Sequence, residues 1–212
     1  MGAVTAEALA EHAGTTVGVA RGRLLAAARQ RLVVYRRPLT GLPALYTVTA
    51  TGMRLAGAER LDPCRVTVSN ARHLIECARV ASTLERCYPD YRLAGERELR
   101  RDERDRGRPL ASARLARGGV DGPLLHRPDL ILWPQGEETG LPIAVEVELT
   151  VKAPRRLAEI CTAWARCRCV AGVIYLATPE VERALGRAIE RTDSRARVAV
   201  VPLAALSTVA VP

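Results

Sequence analysis

Phenylalanine is absent from this 212-residue chain, and aromatic residues of every kind make up only 3% of it. A core without large rings must be filled by Leu, Val, Ile and Ala, and an apolar content of 48% is sufficient for that. Lysine is almost missing as well: Lys152 is the sole one among 32 Lys and Arg residues. No apolar run approaches the roughly 18 residues needed to cross a bilayer, and the N-terminus lacks a leader pattern, so a cytoplasmic protein with no membrane contact is expected. Paired CxxC spacing is also lacking. The six cysteines (Cys64, Cys77, Cys87, Cys161, Cys167, Cys169) and three scattered histidines therefore argue for reduced, mostly buried thiols. They argue against a disulfide framework or a structural zinc.

What the chain does have is positive charge, a net +9. Such an excess favours polyanionic partners, nucleic acid above all. A GC-rich coding sequence accounts for the choice of Arg over Lys but not for the excess itself.

Residues 1–62 read as one small domain. VTAEALAEHAG has apolar residues at helical spacing and ends in Gly14, and a second helix follows, capped by Thr15 or Thr16, through TTVGVARGRLLAAARQRLVV. Two extended runs around a Pro/Gly turn and a short helix start, TGMRLAG, complete the order of a winged helix-turn-helix. Residues 1–60 hold eight arginines against three glutamates. Arg21, Arg23 and Arg29 fall on the second helix and Arg36 and Arg37 on the hairpin, the elements such a module lays against double-stranded DNA. The plainer reading is a helical module whose arginines are merely solvated. A winged helix has a further helix before this pair, and only Met1-Gly2-Ala3 precede it here. Either that helix lies upstream of Met1 or another segment supplies it.

After a linker at 61–66, residues 67–212 read as a second, three-layer α/β domain of order α-β-β-β-α-β-α-β. SNARHLIECARVASTLERC is a helix capped by Ser69 or Asn70, with Leu74, Cys77, Ala78, Ala81 and Leu84 as its buried stripe. YRLAGERELRR is a candidate strand, RDERDRGRPLASARLARGG a charged mobile loop, and HRPDLILW and LPIAVEVELTV two further strands. Pro154 opens the next helix, VAGVIYLA is a strand buried on both faces, Thr178 and Pro179 start the last helix, and RVAVVPL ends the sheet.

Ile143, Val145, Val147, Leu149 and Val151 alternate with Ala144, Glu146, Glu148, Thr150 and Lys152. The apolar half predicts one buried face, so Glu146 and Glu148 project together from the other, roughly 7 Å apart. Adjacent strands lie roughly 4.8 Å apart, so Asp129 and Glu146 could share one cation if they face the same way. Carboxylates suit Mg²⁺ or Mn²⁺, ions that usually act on phosphates. A solvated face of an ordinary strand is the bland alternative. His126, two positions before Pro128, could line the site but is more simply a surface or capping residue.

Pro128-Asp129 followed after seventeen residues by Glu146-Val147-Glu148 resembles the PD-(D/E)xK nuclease pattern, and residues 67–178 are similar to that superfamily's αβββαβ core. The resemblance implies Asp129 and Glu146 as metal ligands. It puts Glu148, a glutamate found in some active members, where lysine is expected. Lys152 is a candidate substitute for that lysine. A straight strand would hold it roughly 13 Å from Glu148, so the chain must bend back near Pro154 for it to serve. VTAEALAEHAG, PALYTVTATGMRLAG, SNARHLIECARV, GERELRR, HRPDLIL and AVEVELTVKAPRRL together resemble the replication-relaxation family. That implies a winged helix fused to a nuclease-like domain in plasmid or mobile-element replication, with replication or mobilisation proteins as partners and a homodimer as an option. Two readings stay open: a Mg²⁺- or Mn²⁺-dependent endodeoxyribonuclease in which Glu148 or Lys152 assists catalysis, or an inactive nuclease fold acting as a DNA-binding regulator. An RNA- or protein-binding adaptor is a third.

Overall fold

Four threonines open the four helices of the N-terminal part, each by accepting a backbone N–H that the first turn would otherwise leave unpaired. A computed structural model describes residues 2–116, 124–135 and 140–207. In chain order the first elements are β1 (Ala3–Val4), α1 (Ala6–His12), α2 (Val17–Arg29), β2 (Val33–Arg36), β3 (Leu45–Val48), α3 (Ala50–Leu55) and α4 (Val68–Cys87). Thr5 caps α1 through Ala8 N–H at 3.1 Å, Thr16 caps α2 through Val19 N–H at 3.3 Å, and Thr49 caps α3 through Gly52 N–H at 3.0 Å. Thr67 caps α4, and Asn70 reciprocates by accepting the Thr67 N–H at 2.8 Å. The α4 helix thus begins two residues before the expected Ser69. Gly14 takes the left-handed φ of 56° in the turn between α1 and α2.

The strands form a small antiparallel sheet of order β1-β3-β2. Its first strand, Ala3–Val4, pairs with Thr47 and Tyr46, in a stretch too short to show any alternation. Leu45, Ala71 and Ala3 make one small core with Leu74 and Ile75, and Ala6, Leu24 and Tyr46 make another. The chain divides into compact units at Met1–Pro89 and Asp90–Pro212. The helix expected to open the second domain is therefore counted with the first unit. It packs on α1, where Ser82 Oγ donates to the Ala8 carbonyl at 2.8 Å and Arg86 pairs with Glu11 at 3.1 Å.

The second unit is built on a five-stranded mixed sheet. Its elements are β4 (Tyr91–Gly95), α5 (Glu96–Arg106), β5 (Ala113–Arg114), β6 (Leu125–His126), β7 (Leu130–Pro134), β8 (Ile143–Glu148), α6 (Pro154–Arg166), β9 (Gly172–Ala177), α7 (Pro179–Thr192) and β10 (Val198–Pro202). The strand order is β10-β9-β8-β7-β4, with β8, β9 and β10 parallel and β7 antiparallel to both of its neighbours. Each parallel step is bridged by a helix, as parallel pairing demands. Trp164, Leu157 and Ile160 of α6 and Val181 and Leu185 of α7 bury against Ala144, Val173, Tyr175 and Ala177 of the sheet.

Two expectations need correction here. YRLAGERELRR is strand only to Gly95, and the charged run after it is helix α5, not a loop. Only Leu99 and Glu103 of that helix are buried, so no apolar stripe announces it. It is held instead by Glu98 accepting the Gly95 N–H at 2.9 Å and by Gly107, whose φ of 62° closes the C-terminus. The expected third strand stops at Glu148 rather than running to Val151. The end of the expected basic loop (117–119) and part of the PQGEETG turn (136–139) lie outside the described residues, as do 120–123. No described helix is long and apolar enough to cross a membrane.

Candidate acidic site and basic face

The register of β7 against β8 pairs Leu130 with Val145, so Asp129 stands beside Glu146 one step further along. Asp129 Oδ2 accepts the Val147 N–H at 2.8 Å, and the Asp129 carbonyl accepts the first N–H of α5, from Glu96, at 3.1 Å. The Pro-Asp pair is thus tied to the central strand on one side and to the missed helix on the other.

Glu146 and Glu148 do share one face of β8, as alternation requires, but that face is not wet. Both are over nine-tenths buried, at 7% and 8% exposure. They share it with Ala144 and lie beside Tyr175 and Ala177 of β9, the side of the sheet that α6 covers. Val145 and Val147 on the opposite face are buried as well, so the strand is enclosed on both sides. Buried carboxylates need compensating charge or hydrogen bonds. Lys152 supplies part of it: β8 ends at Glu148, the chain turns back ahead of Pro154, and Nζ of Lys152 forms an ion pair with Oε2 of Glu148. The sole lysine therefore reaches the site, and Glu146 and Asp129 also lie close enough to support its charge. Burial still pulls the Lys152 ammonium below its usual pKa.

His126 lies against Glu146. Its Nε2 lies 2.8 Å from Oε1 of Glu146. The distance is that of an ion pair, and among the described residues neither atom has another hydrogen-bond partner. Burial pushes the Glu146 carboxyl above its ordinary pKa; His126 and Lys152 pull it back, while Asp129 adds to the rise. Tyr175, opposite Glu146, is likewise kept protonated, first by burial and then by the Glu146 charge. The His126 ring meets Trp164 edge-on at 5.8 Å.

His126 is the residue that sequence reasoning undervalued. What sets its position is the two-residue pairing of β6 with β5 (His126 with Ala113), too short to read from a pattern. The same hairpin is pinned by Glu103 of α5. That carboxylate is 3% exposed and accepts from Ser112 Oγ (2.6 Å), Leu110 N–H (3.0 Å) and Arg127 Nε (2.9 Å).

Arg21, Arg23 and Arg29 are exposed on α2, which buries only Ala20 and Leu24, and Arg36 and Arg37 are exposed at the end of β2. Arg21 and Arg37 line a cleft of about 570 Å³ between helix and hairpin, together with Leu25, Tyr35 and Tyr46. The five arginines thus belong to one module, while Asp129, Glu146, Glu148 and Lys152 lie in the other, with Lys152 on Glu148 and within electrostatic reach of Glu146 and Asp129.

The donor set fits a hard divalent cation in kind: Asp129 and Glu146 are carboxylates at adjoining positions in the β7–β8 register, and among the described residues the buried Oε1 of Glu146 has no hydrogen-bond partner. Comparison of the chain with protein-family models, curated proteins and solved structures returned no match.

Proposed function

We propose that this is a DNA-binding protein of plasmid or mobile-element replication. Its first unit acts as a winged helix on double-stranded DNA, and its second unit is a PD-(D/E)xK-like domain that cleaves or nicks phosphodiesters with Mg²⁺ or Mn²⁺. The observation that carries the reading is the return of Lys152 onto Glu148, next to Asp129 and Glu146. A lysine placed there restores the cation missing from the third motif position. In the second unit the order β4, β7, β8, α6, β9 supports it, being the βββαβ part of the expected αβββαβ succession with α5 and the β5–β6 pair inserted, while the helix before it in the chain, α4, is counted with the first unit. The α4 helix packs on α1, where a winged helix carries a further helix.

Asp129 and Glu146 would hold the ion, which when bound supplies a Lewis acid for the phosphate and for an attacking water. Glu148 holds the Lys152 ammonium in place, and Lys152 offers its protons to a phosphate oxygen. His126 balances Glu146, and Trp164 and Tyr175 keep bulk water from that side. Arg21, Arg23, Arg29, Arg36 and Arg37 contact phosphates and set affinity rather than sequence preference.

A second reading, an inactive nuclease fold that regulates by binding DNA, is favoured by one observation: Glu146 and Glu148 are nearly closed to solvent and already balanced by His126 and Lys152. Incubating supercoiled plasmid with the protein and Mn²⁺ separates the two. Nicking that disappears in Asp129→Ala and drops at least tenfold in Lys152→Ala supports the enzyme. Intact plasmid alongside retained duplex binding supports the regulator.

A further inference from the structure

Away from the acidic site, the C-terminal end of α6 and the strand β5 enclose a second concavity, of about 390 Å³. Arg108, Arg114, Arg166 and Arg168 ring it, with Ser112, Ala163, Cys167 and Cys169 among its other walls, and no carboxylate lines it among the described residues. All four arginines are exposed, and among the described residues none is in an ion pair. They are not needed as helix caps either. Arg197 already donates to the carbonyls of Cys167 and Val170 at the end of α6, at 2.5 and 2.6 Å. The floor is neutral: Cys167 and Cys169 face each other at 3.5 Å as free thiols, and burial pushes Cys167 up to about 11.

Four guanidinium groups converging on a neutral hollow repel one another, and the ligand that removes the repulsion is a multiply charged oxyanion, which guanidinium binds through paired N–H groups. We propose that this pocket is a phosphate site that grips the DNA backbone at a distance from the acidic site. The assignment to DNA rests on the function proposed above. The α6 helix runs from just after Lys152 to the pocket, and its thirteen residues span roughly 20 Å. At 3.4 Å of rise per strand phosphate, the gripped phosphate lies roughly six steps from the acidic site. The pairing of Ala113 with His126 and of Arg114 with Leu125 ties the pocket wall to the residue that lies against Glu146, so the two sites share one edge.

The test uses the full chain, a 30-bp duplex, and two readouts besides cleavage: anisotropy against salt, and alkylation of the half-buried Cys169 mapped by peptide mass spectrometry. The expected result is that duplex slows Cys169 alkylation about tenfold. In Arg108→Ala/Arg166→Ala/Arg168→Ala, whose exposed side chains leave the melting curve in place, affinity falls about tenfold and the log–log salt slope drops by about two to three. Unchanged affinity and slope in that variant with an unprotected Cys169 would overturn the pocket. The DNA reading would survive that result if Arg21→Ala/Arg23→Ala/Arg36→Ala/Arg37→Ala still loses duplex. No duplex binding by the wild type in 50 mM salt would overturn both. Protection of Cys169 by inorganic pyrophosphate in that case would reassign the pocket to a free phosphate ligand.

Discussion

The two units handle charge in opposite ways. In Met1–Pro89 the arginines of α2 and β2 stand in solvent over a thin core of Ala, Leu and Tyr. In Asp90–Pro212 three carboxylates, Glu103, Glu146 and Glu148, are more than nine-tenths buried, each facing a cationic or ionisable partner. Exposed charges act at a distance, are screened by salt and contribute little to folding. Buried ones must be placed exactingly by the fold, and placement is what a chemical site requires. On the function proposed above, one unit finds a polyanion and the other acts on it.

The contrast is broken most forcefully at Glu103. Glu103→Ala leaves Arg127 unpaired and Ser112 and the Leu110 N–H unsatisfied, so a loss of roughly 3 to 5 kcal/mol in urea unfolding is expected. A loss below 1 kcal/mol would mean that the buried network does not hold the hairpin carrying His126. In the first unit, alanine at Arg21, Arg23, Arg36 and Arg37 together should leave the melting temperature within a few degrees. The same variant should lower duplex affinity roughly a hundredfold at low salt and remove up to about four phosphate contacts from the salt slope. Unaltered affinity would take the winged-helix face out of the account.

Packing rather than charge is decisive at Gly52. A Cβ there would lie 2.2 Å from the Leu32 carbonyl oxygen, so Gly52→Ala should cost roughly 1 to 3 kcal/mol in thermal unfolding. A neutral effect would show that α3 can slide away from β2. The smallest effect is expected at Glu146. Its pKa is raised in the fold, so its stabilising contribution is complete below the ordinary carboxylate range and is lost as pH rises through the raised value. Without divalent cations, Glu146→Gln should gain on the wild type as pH rises above the ordinary carboxylate range, by about 1 kcal/mol once the wild-type carboxyl has ionised. A difference that is flat with pH would mean that His126 and Lys152 already compensate the charge fully.

How much was readable from the residues follows from how each element is stabilised. Elements that announce themselves by capping and continuous apolar character were legible: Pro154 at the head of α6, Thr178-Pro179 at the head of α7, and the run GVIYLA of β9. The bend that brings Lys152 back was legible as a requirement, though not as a fact. Helix α5 was hidden because its buried side is one leucine and one glutamate; the Glu96–Arg100 pair and the Gly107 cap were its only signals. The burial of Glu146 and Glu148 was hidden for a different reason. Alternation distinguishes two faces of a strand but does not say that α6 covers the polar one, with Lys152 and His126 supplying the compensating charge. His126 could not be found from spacing, because a two-residue strand pair is what carries it in.

The central claim is that Asp129, Glu146, Glu148 and Lys152 make a working cation site and not only a buried charge network. Calorimetric titration of the purified protein with Mn²⁺ at pH 8 tests it directly. One ion per chain with sub-millimolar affinity in the wild type, abolished in Asp129→Ala and preserved in the quadruple arginine variant, is the predicted result. Absence of heat up to 10 mM Mn²⁺ in the wild type, with the protein folded, would contradict it.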